Sequence, residues 1–150
     1  GAAAIKGFAF CFKKPVILIS TLKALAYSYK DKETLLCPLI DSRKGEVYMA
    51  LYDYNMKNLV PPHAHIISKD SLLDFLENHK ISFFGTGLEK LKQVIHHKNA
   101  YFMNNIFPSS KHLIKLAHFK YKQNDFADIS NFEPLYLKEF TPTQQKKNII

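Results

Sequence analysis

Two strand-like runs, Leu35 to Ile40 and Val47 to Tyr54, flank residues 41–46, and the second run is apolar on both of its sides. At a two-residue period Tyr48, Ala50, Tyr52 and Tyr54 fall on one face, and Val47, Met49 and Leu51 on the other. A sheet with one wet face would alternate apolar and polar residues. This one does not, so helices must cover it on both sides, and the chain is predicted to be α/β.

The flanking segments supply those helices. Residues 2–13 read as a helix ended by Pro15, Val16 to Ile19 as a strand buried on both sides, and Ser20 or Thr21 as the cap of a helix reaching about Tyr29. "VPPHAHIIS" reads as a proline-marked connection into a short strand. Ser68 reads as the cap of a helix over Lys69 to Asn78 whose core face is Leu72, Leu73, Phe75 and Leu76. "ISFFGTG" is a buried strand turning at Gly85 and Gly87, followed by a helix from Leu88 to His96. "AYFM" suggests a further strand. The last helix spans Lys111 to Lys122, with Leu113, Ile114, Leu116, Ala117 and Phe119 inward. The charged segment "YKDKE", Tyr29 to Glu33, marks the expected lobe boundary.

Composition narrows the functional classes. With 47% apolar residues the chain lies far from disordered compositions. The net charge of +8 favours acidic partners. Arg43 is, however, the only arginine among 21 basic residues, which argues against base-specific reading by bidentate contacts. Cys11 and Cys37 sit in apolar segments and read as buried thiols. No apolar run approaches the length of a membrane span, and no signal peptide is visible, so a cytoplasmic location without membrane contact is expected.

No catalytic constellation assembles from the residues. Asp41, Arg43, Gly45 and Glu46 could offer carboxylates beside a cation. They are better read as the turn of a structural hairpin, with Gly45 at positive φ and Asp41 holding the turn's N–H groups, since nothing in the loop completes a catalytic set. Gly85, Thr86 and Gly87 lie between a strand and a helix, where backbone N–H groups could meet a nucleotide. They lack the third glycine of a dinucleotide fingerprint and the Gly-Lys-Ser/Thr of a P-loop. His63 and His65 would share one side of a strand, but no third metal ligand has defined spacing, so no metal site is expected and a solvated loop is preferred. On the first helix Ala2, Lys6, Ala9 and Lys13, flanked by Phe10, form a stripe that another helix could approach closely.

Several separated stretches together resemble one family. "GAAAIKGFAFCFKKPVILISTLKALA", "PLIDSRKGEVYMALY", "FFGTGLEKLK", "PSSKHLIKLA" and "EPLYLK" are similar, in order and spacing, to segments of the bacterial TsaB (YeaZ) proteins. The resemblance implies an actin-like (ASKHA, ribonuclease H-like) α/β fold. Residues 1–31 would be the last helix–strand–helix of the first lobe, residues 32–140 the second lobe, and residues 141–150 a flexible tail.

It further implies a subunit with no catalytic residue and no cofactor of its own. Such a subunit pairs with TsaD and the ATPase TsaE, which carry the divalent metal and ATP. The complex places threonylcarbamoyl on the adenosine next to the anticodon of ANN-decoding tRNAs, and the glycoprotease label of the family would not denote proteolysis. The family's "D-T-S" strand and "G-P-G-S-F-T-G" segment are not in this sequence. Surfaces that they would cover should promote homodimers or looser self-association. Ala2, Lys6, Ala9, Phe10 and Lys13 become the expected partner contact. An ATP-binding enzyme of the same fold and a basic stand-alone RNA-binding domain are the competing expectations.

Overall fold

The computed structural model describes residues 1–29, 31–135 and 137; Tyr136 and Lys138 of the "EPLYLK" ending and the expected tail at 141–150 lie outside the described residues. The elements are α1 (Ala2–Phe12), α2 (Thr21–Ser28), β1 (Leu35–Asp41), β2 (Glu46–Tyr52), β3 (Asn58–Ile66), α3 (Leu73–Asn78), β4 (Ile81–Gly85), α4 (Leu88–Lys92), β5 (Ala100–Met103), a 3-10 turn at Ser110–His112 and α5 (Leu113–Lys122). The strands form one sheet ordered β3-β2-β1-β4-β5. β1, β2 and β3 pair antiparallel, whereas β4 and β5 join parallel to β1.

The double-sided burial expected from β2 is found. On one face Val47, Met49 and Leu51 join Cys37, Leu39, Phe83, Leu76, Leu88 and Leu91 beneath α3 and α4. On the other, Ala50 and Tyr52 join Leu36, Phe84 and the α2 residues Leu22, Leu25 and Ala26. α2, although it precedes the expected boundary at 31/32, is thus a covering layer of this sheet. Ser20 caps it by accepting from the Lys23 N–H at 3.4 Å. The connection into β1 is tied by Asp31, which accepts from the Glu33 N–H at 2.8 Å and the Thr34 hydroxyl at 2.9 Å. Thr34 in turn meets the buried Ser82 hydroxyl at 2.9 Å.

Several local expectations are corrected. Val16 to Ile19 is not a strand: Val16 is buried and its carbonyl accepts from the Ala127 N–H, but Leu18 is exposed and no described strand lies alongside. β3 runs through Pro61 and Pro62. It is an edge strand, and its register on β2 slips between Met49–His63 and Leu51–Val60, so the prolines occupy a bulge where no ladder N–H is required. α3 begins only at Leu73, because Leu72 takes φ 58° and Ser68 to Ser71 form a turn of their own, with the Ser71 hydroxyl accepting from the Ser68 N–H. α4 ends at Lys92 and passes into a turn in which the Val94 and Ile95 N–H groups both donate to the Leu91 carbonyl, with Ile95 in the core. His96 and His97 therefore lie outside the helix. No residue of α5 is buried, and Ile114 and Phe119 face solvent. Cys37 is buried as expected but Cys11 is exposed.

The β1–β4 junction places the two sequence features around which the site was expected. Gly85 has φ 113°, and a Cβ there would fall inside the Leu39 carbonyl oxygen and 2.9 Å from Leu25 Cδ2. Gly87 lies equally close, with Val47 Cγ1 2.7 Å from where its Cβ would be, and its N–H donates to the Leu39 carbonyl at 3.3 Å. The Thr86 hydroxyl accepts from the Asp41 N–H at 2.9 Å. The turn thereby delivers α4 over the β1–β2 hairpin, where Lys90 Nζ reaches the Asp41 carboxylate at 2.5 Å and donates to the carbonyls of Ser42, Arg43 and Glu46 at 3.2, 2.7 and 3.2 Å.

Gly85→Ala should therefore cost about 3 kcal/mol or more, from strain plus a backbone clash that no rotamer relieves. Urea denaturation checks this, with a lowered midpoint expected and a wild-type midpoint contradicting it. Lys90→Met should cost about 1 kcal/mol, because the ion pair is partly solvated and water can reach the released carbonyls. Amide exchange at Glu46, whose N–H closes the turn on the Arg43 carbonyl at 3.0 Å, should quicken in that variant.

Candidate functional site

The sequence candidates separate cleanly by place. Asp41, Arg43, Gly45 and Glu46 form the β1–β2 turn, with Gly45 at φ 73° and its carbonyl accepting from the Ile67 N–H at 3.0 Å. Asp41 does not hold the turn's N–H groups as expected. Its carboxylate is turned to Lys90, an amino group some 50 positions away that no turn pattern could reveal. Gly85, Thr86 and Gly87 spend their polar groups on β1 in the contacts already described, and the two glycines serve close packing. The hairpin and the Gly-x-Gly turn are thus one interlocked structural unit.

The α1 stripe lies differently from its expected exposure. Ala9 is 5% exposed and is the one buried residue of the helix. Lys6 donates to the Ser130 carbonyl at 3.3 Å and its ammonium stands 4.9 Å from the Phe132 ring centroid. Lys6 therefore turns toward the chain's own Ser130 and Phe132 and Ala9 is covered, while Phe10 and Lys13 face solvent. A neighbouring, apolar side is open, with Ile5 48% exposed, Phe8 62% and Phe12 66%, and Phe10, beside the stripe, is 81% exposed. Phe8 and Phe12 stack with ring centroids 6.3 Å apart, one helical turn from each other. Helical periodicity groups the stripe residues but cannot tell which side of the helix the chain itself will cover.

Residues 18–20, the start of α2, Ile40, Tyr48 and Pro62 of the sheet, and residues 133–135 and 137 line an open groove of about 590 Å³. Its walls are mainly apolar, with Leu18, Leu22, Ile40 and Leu135 prominent, and Tyr48 and Glu133 supply polar edges. Among the described residues no group of three or more His, Cys, Asp or Glu gathers as a metal set. No helix there is long and apolar enough to cross a membrane.

Titratable groups follow their surroundings. Burial pushes the Tyr52 hydroxyl up to about 12 and raises the Cys37 thiol far above its ordinary value, so neither ionises near neutrality. The Glu33 N–H holds the Asp31 carboxyl below its usual range. Burial, and secondarily His63, lowers His65.

The same construction is found in known proteins. The family described as "TsaD: tRNA N6-adenosine threonylcarbamoyltransferase" matches residues 1–139. The tRNA threonylcarbamoyladenosine biosynthesis protein TsaB of Bacillus subtilis (strain 168) is 28% identical over 145 residues, 92% of this chain and 62% of that protein. Two solved structures share the fold at 21% identity, each aligning with 91% of this chain and 65% of its own. One is a protein with similarity to peptidase YEAZ from Pseudomonas aeruginosa, at a TM-score of 0.75, and the other is YeaZ from Pseudomonas aeruginosa, at 0.70. The chain thus spans just under two-thirds of the length of these relatives. The sheet order, with three antiparallel strands followed by two parallel ones, is that of an actin-like, ribonuclease H-like lobe. Family match, relative and fold agree: the chain belongs to the tRNA N6-adenosine threonylcarbamoyltransferase (TsaD) family, among its TsaB/YeaZ members.

Proposed function

We propose that the chain acts in threonylcarbamoyladenosine formation on ANN-decoding tRNAs as a non-catalytic partner subunit. In this reading TsaD performs the transfer with its metal, TsaE supplies ATPase activity, and this chain contributes surface in the cytoplasm without a cofactor of its own. The observation that carries the reading is the open apolar face of α1, Ile5, Phe8 and Phe12, on a helix whose other side is already packed. Covering a Phe is worth about 1.5–3 kcal/mol, so leaving two stacked rings in water is costly unless a partner takes them. Support also comes from the Gly85–Gly87 turn, where Gly85 and Gly87 lie flush against β1 and the Gly87 N–H donates to the Leu39 carbonyl, which favours a packing role over a nucleotide contact. The peptidase name borne by a structural neighbour is not carried over.

The docking helix tests this. Phe8→Glu with Phe12→Glu should abolish co-purification with the cognate TsaD while leaving the unfolding midpoint within about 0.5 kcal/mol of wild type, as expected of exposed positions. Undiminished co-purification would refute the assignment. These exposed positions are a better probe than Ala9, whose burial would make a bulky replacement destabilising in itself. Sedimentation of the isolated chain should show concentration-dependent self-association that the same double variant reduces. Calorimetry with ATP should give no saturable heat; saturation would instead favour an ATP-binding enzyme. Tight tRNA binding by the isolated chain, steeply weakened by salt, would favour the RNA-binding reading.

A further inference from the structure

β3 brings His63 and His65 to one side of the edge strand, with His63 Nε2 and His65 Nδ1 facing each other at 3.4 Å and the rings nearly perpendicular at 88°. The outer nitrogen of each ring is held by an oxygen. His63 Nδ1 lies 2.9 Å from the Pro61 carbonyl, which can only accept, so this nitrogen carries the proton and His63 Nε2 is a lone pair. His65 Nε2 lies 2.7 Å from the Ser71 hydroxyl, which is fixed in turn by the Ser68 N–H at 2.9 Å.

His65 then has two options. With its proton on Nδ1 it spans 3.4 Å to His63, at the outer limit of a hydrogen bond. With its proton on Nε2, donated to Ser71 over the much shorter distance, both inner nitrogens carry lone pairs into the gap between the rings. Two ligands bound at about 2.0–2.1 Å to a tetrahedral ion sit about 3.3–3.4 Å apart, which is the separation found here. Orientation of each ligating imidazole by an oxygen on its other nitrogen is also the usual support of metal-binding histidines, and both supports are already in place. Both residues are half-buried, so the gap is shielded yet reachable from solvent.

We propose that His63 and His65 form a two-histidine site for a divalent transition-metal ion of the zinc class, bound through His63 Nε2 and His65 Nδ1, with water completing the shell. Imidazole pairs suit Zn²⁺ and its neighbours and do not suit Mg²⁺ or Ca²⁺. The bulge at Pro61 and Pro62 aims the first ligand, and the Ser68–Ser71 turn that delays α3 aims the second.

The test is calorimetric titration of the full chain with ZnCl₂ in a Cys11→Ser background, which removes the exposed thiol as a competitor. One equivalent should bind with micromolar affinity. His63→Ala and His65→Ala should each weaken binding by at least about tenfold, as should Ser71→Ala by loosening the second ligand. His96→Ala with His97→Ala should leave binding unchanged. Ring-nitrogen NMR supplies a second readout independent of affinity: zinc should shift Nε2 of His63 and Nδ1 of His65, an unlike pair of nitrogens. Binding that survives loss of both histidines, zinc shifts on other rings only, or no heat and no shift at millimolar zinc would each overturn the proposal.

Discussion

The close approach of β4 to β1 at Gly85 is the constraint from which much of the architecture follows. A residue with a side chain at this position would drive an atom into the Leu39 carbonyl, so the two strands can meet in parallel register only because the position is empty. That meeting sets Thr86 on the Asp41 N–H and Gly87 on Leu39, and these contacts fix the direction in which α4 leaves the sheet. Lys90 consequently arrives above the β1–β2 turn with three carbonyls and one carboxylate within reach. Two segments that look like separate candidate sites in the linear chain are, in three dimensions, the two halves of one joint.

The functional weight falls elsewhere. The sheet is closed on both faces by α2 on one side and by α3 and α4 on the other. α1 and α5 lie outside that double layer, and both keep large apolar side chains in water. Apolar surface of this kind is unfavourable in isolation and favourable once covered, which is the physical profile of an assembly surface and agrees with a subunit that acts through contact.

How legible this was in the sequence depended on the range of the interaction responsible. The two-sided apolar pattern of β2, the cap at Ser20, the turn at Gly45 and the stop of α1 before Pro15 are all written in residues a few positions apart, and each was read correctly from the chain. The failures share another cause. Val16 to Ile19 has every local mark of a buried strand, yet a strand exists only with a partner beside it, and none of the described residues provides one. α5 carries an apolar face at helical spacing, but spacing cannot say whether anything will pack there. Pro61 and Pro62 read as a connection because a ladder excludes proline; an edge strand with a bulge does not.

The sequence by itself therefore determined the α/β class, the two apolar sides of β2 and the turn glycine Gly45, because these follow from local periodicity and backbone sterics. The tertiary structure alone decided which apolar faces stay open, that Asp41 answers to Lys90, and that His63 and His65 converge under the guidance of Pro61 and Ser71. Each of these depends on the relative placement of segments, which is settled by close packing and hydrogen-bond geometry across the sheet and leaves no trace in the order of residues along the chain.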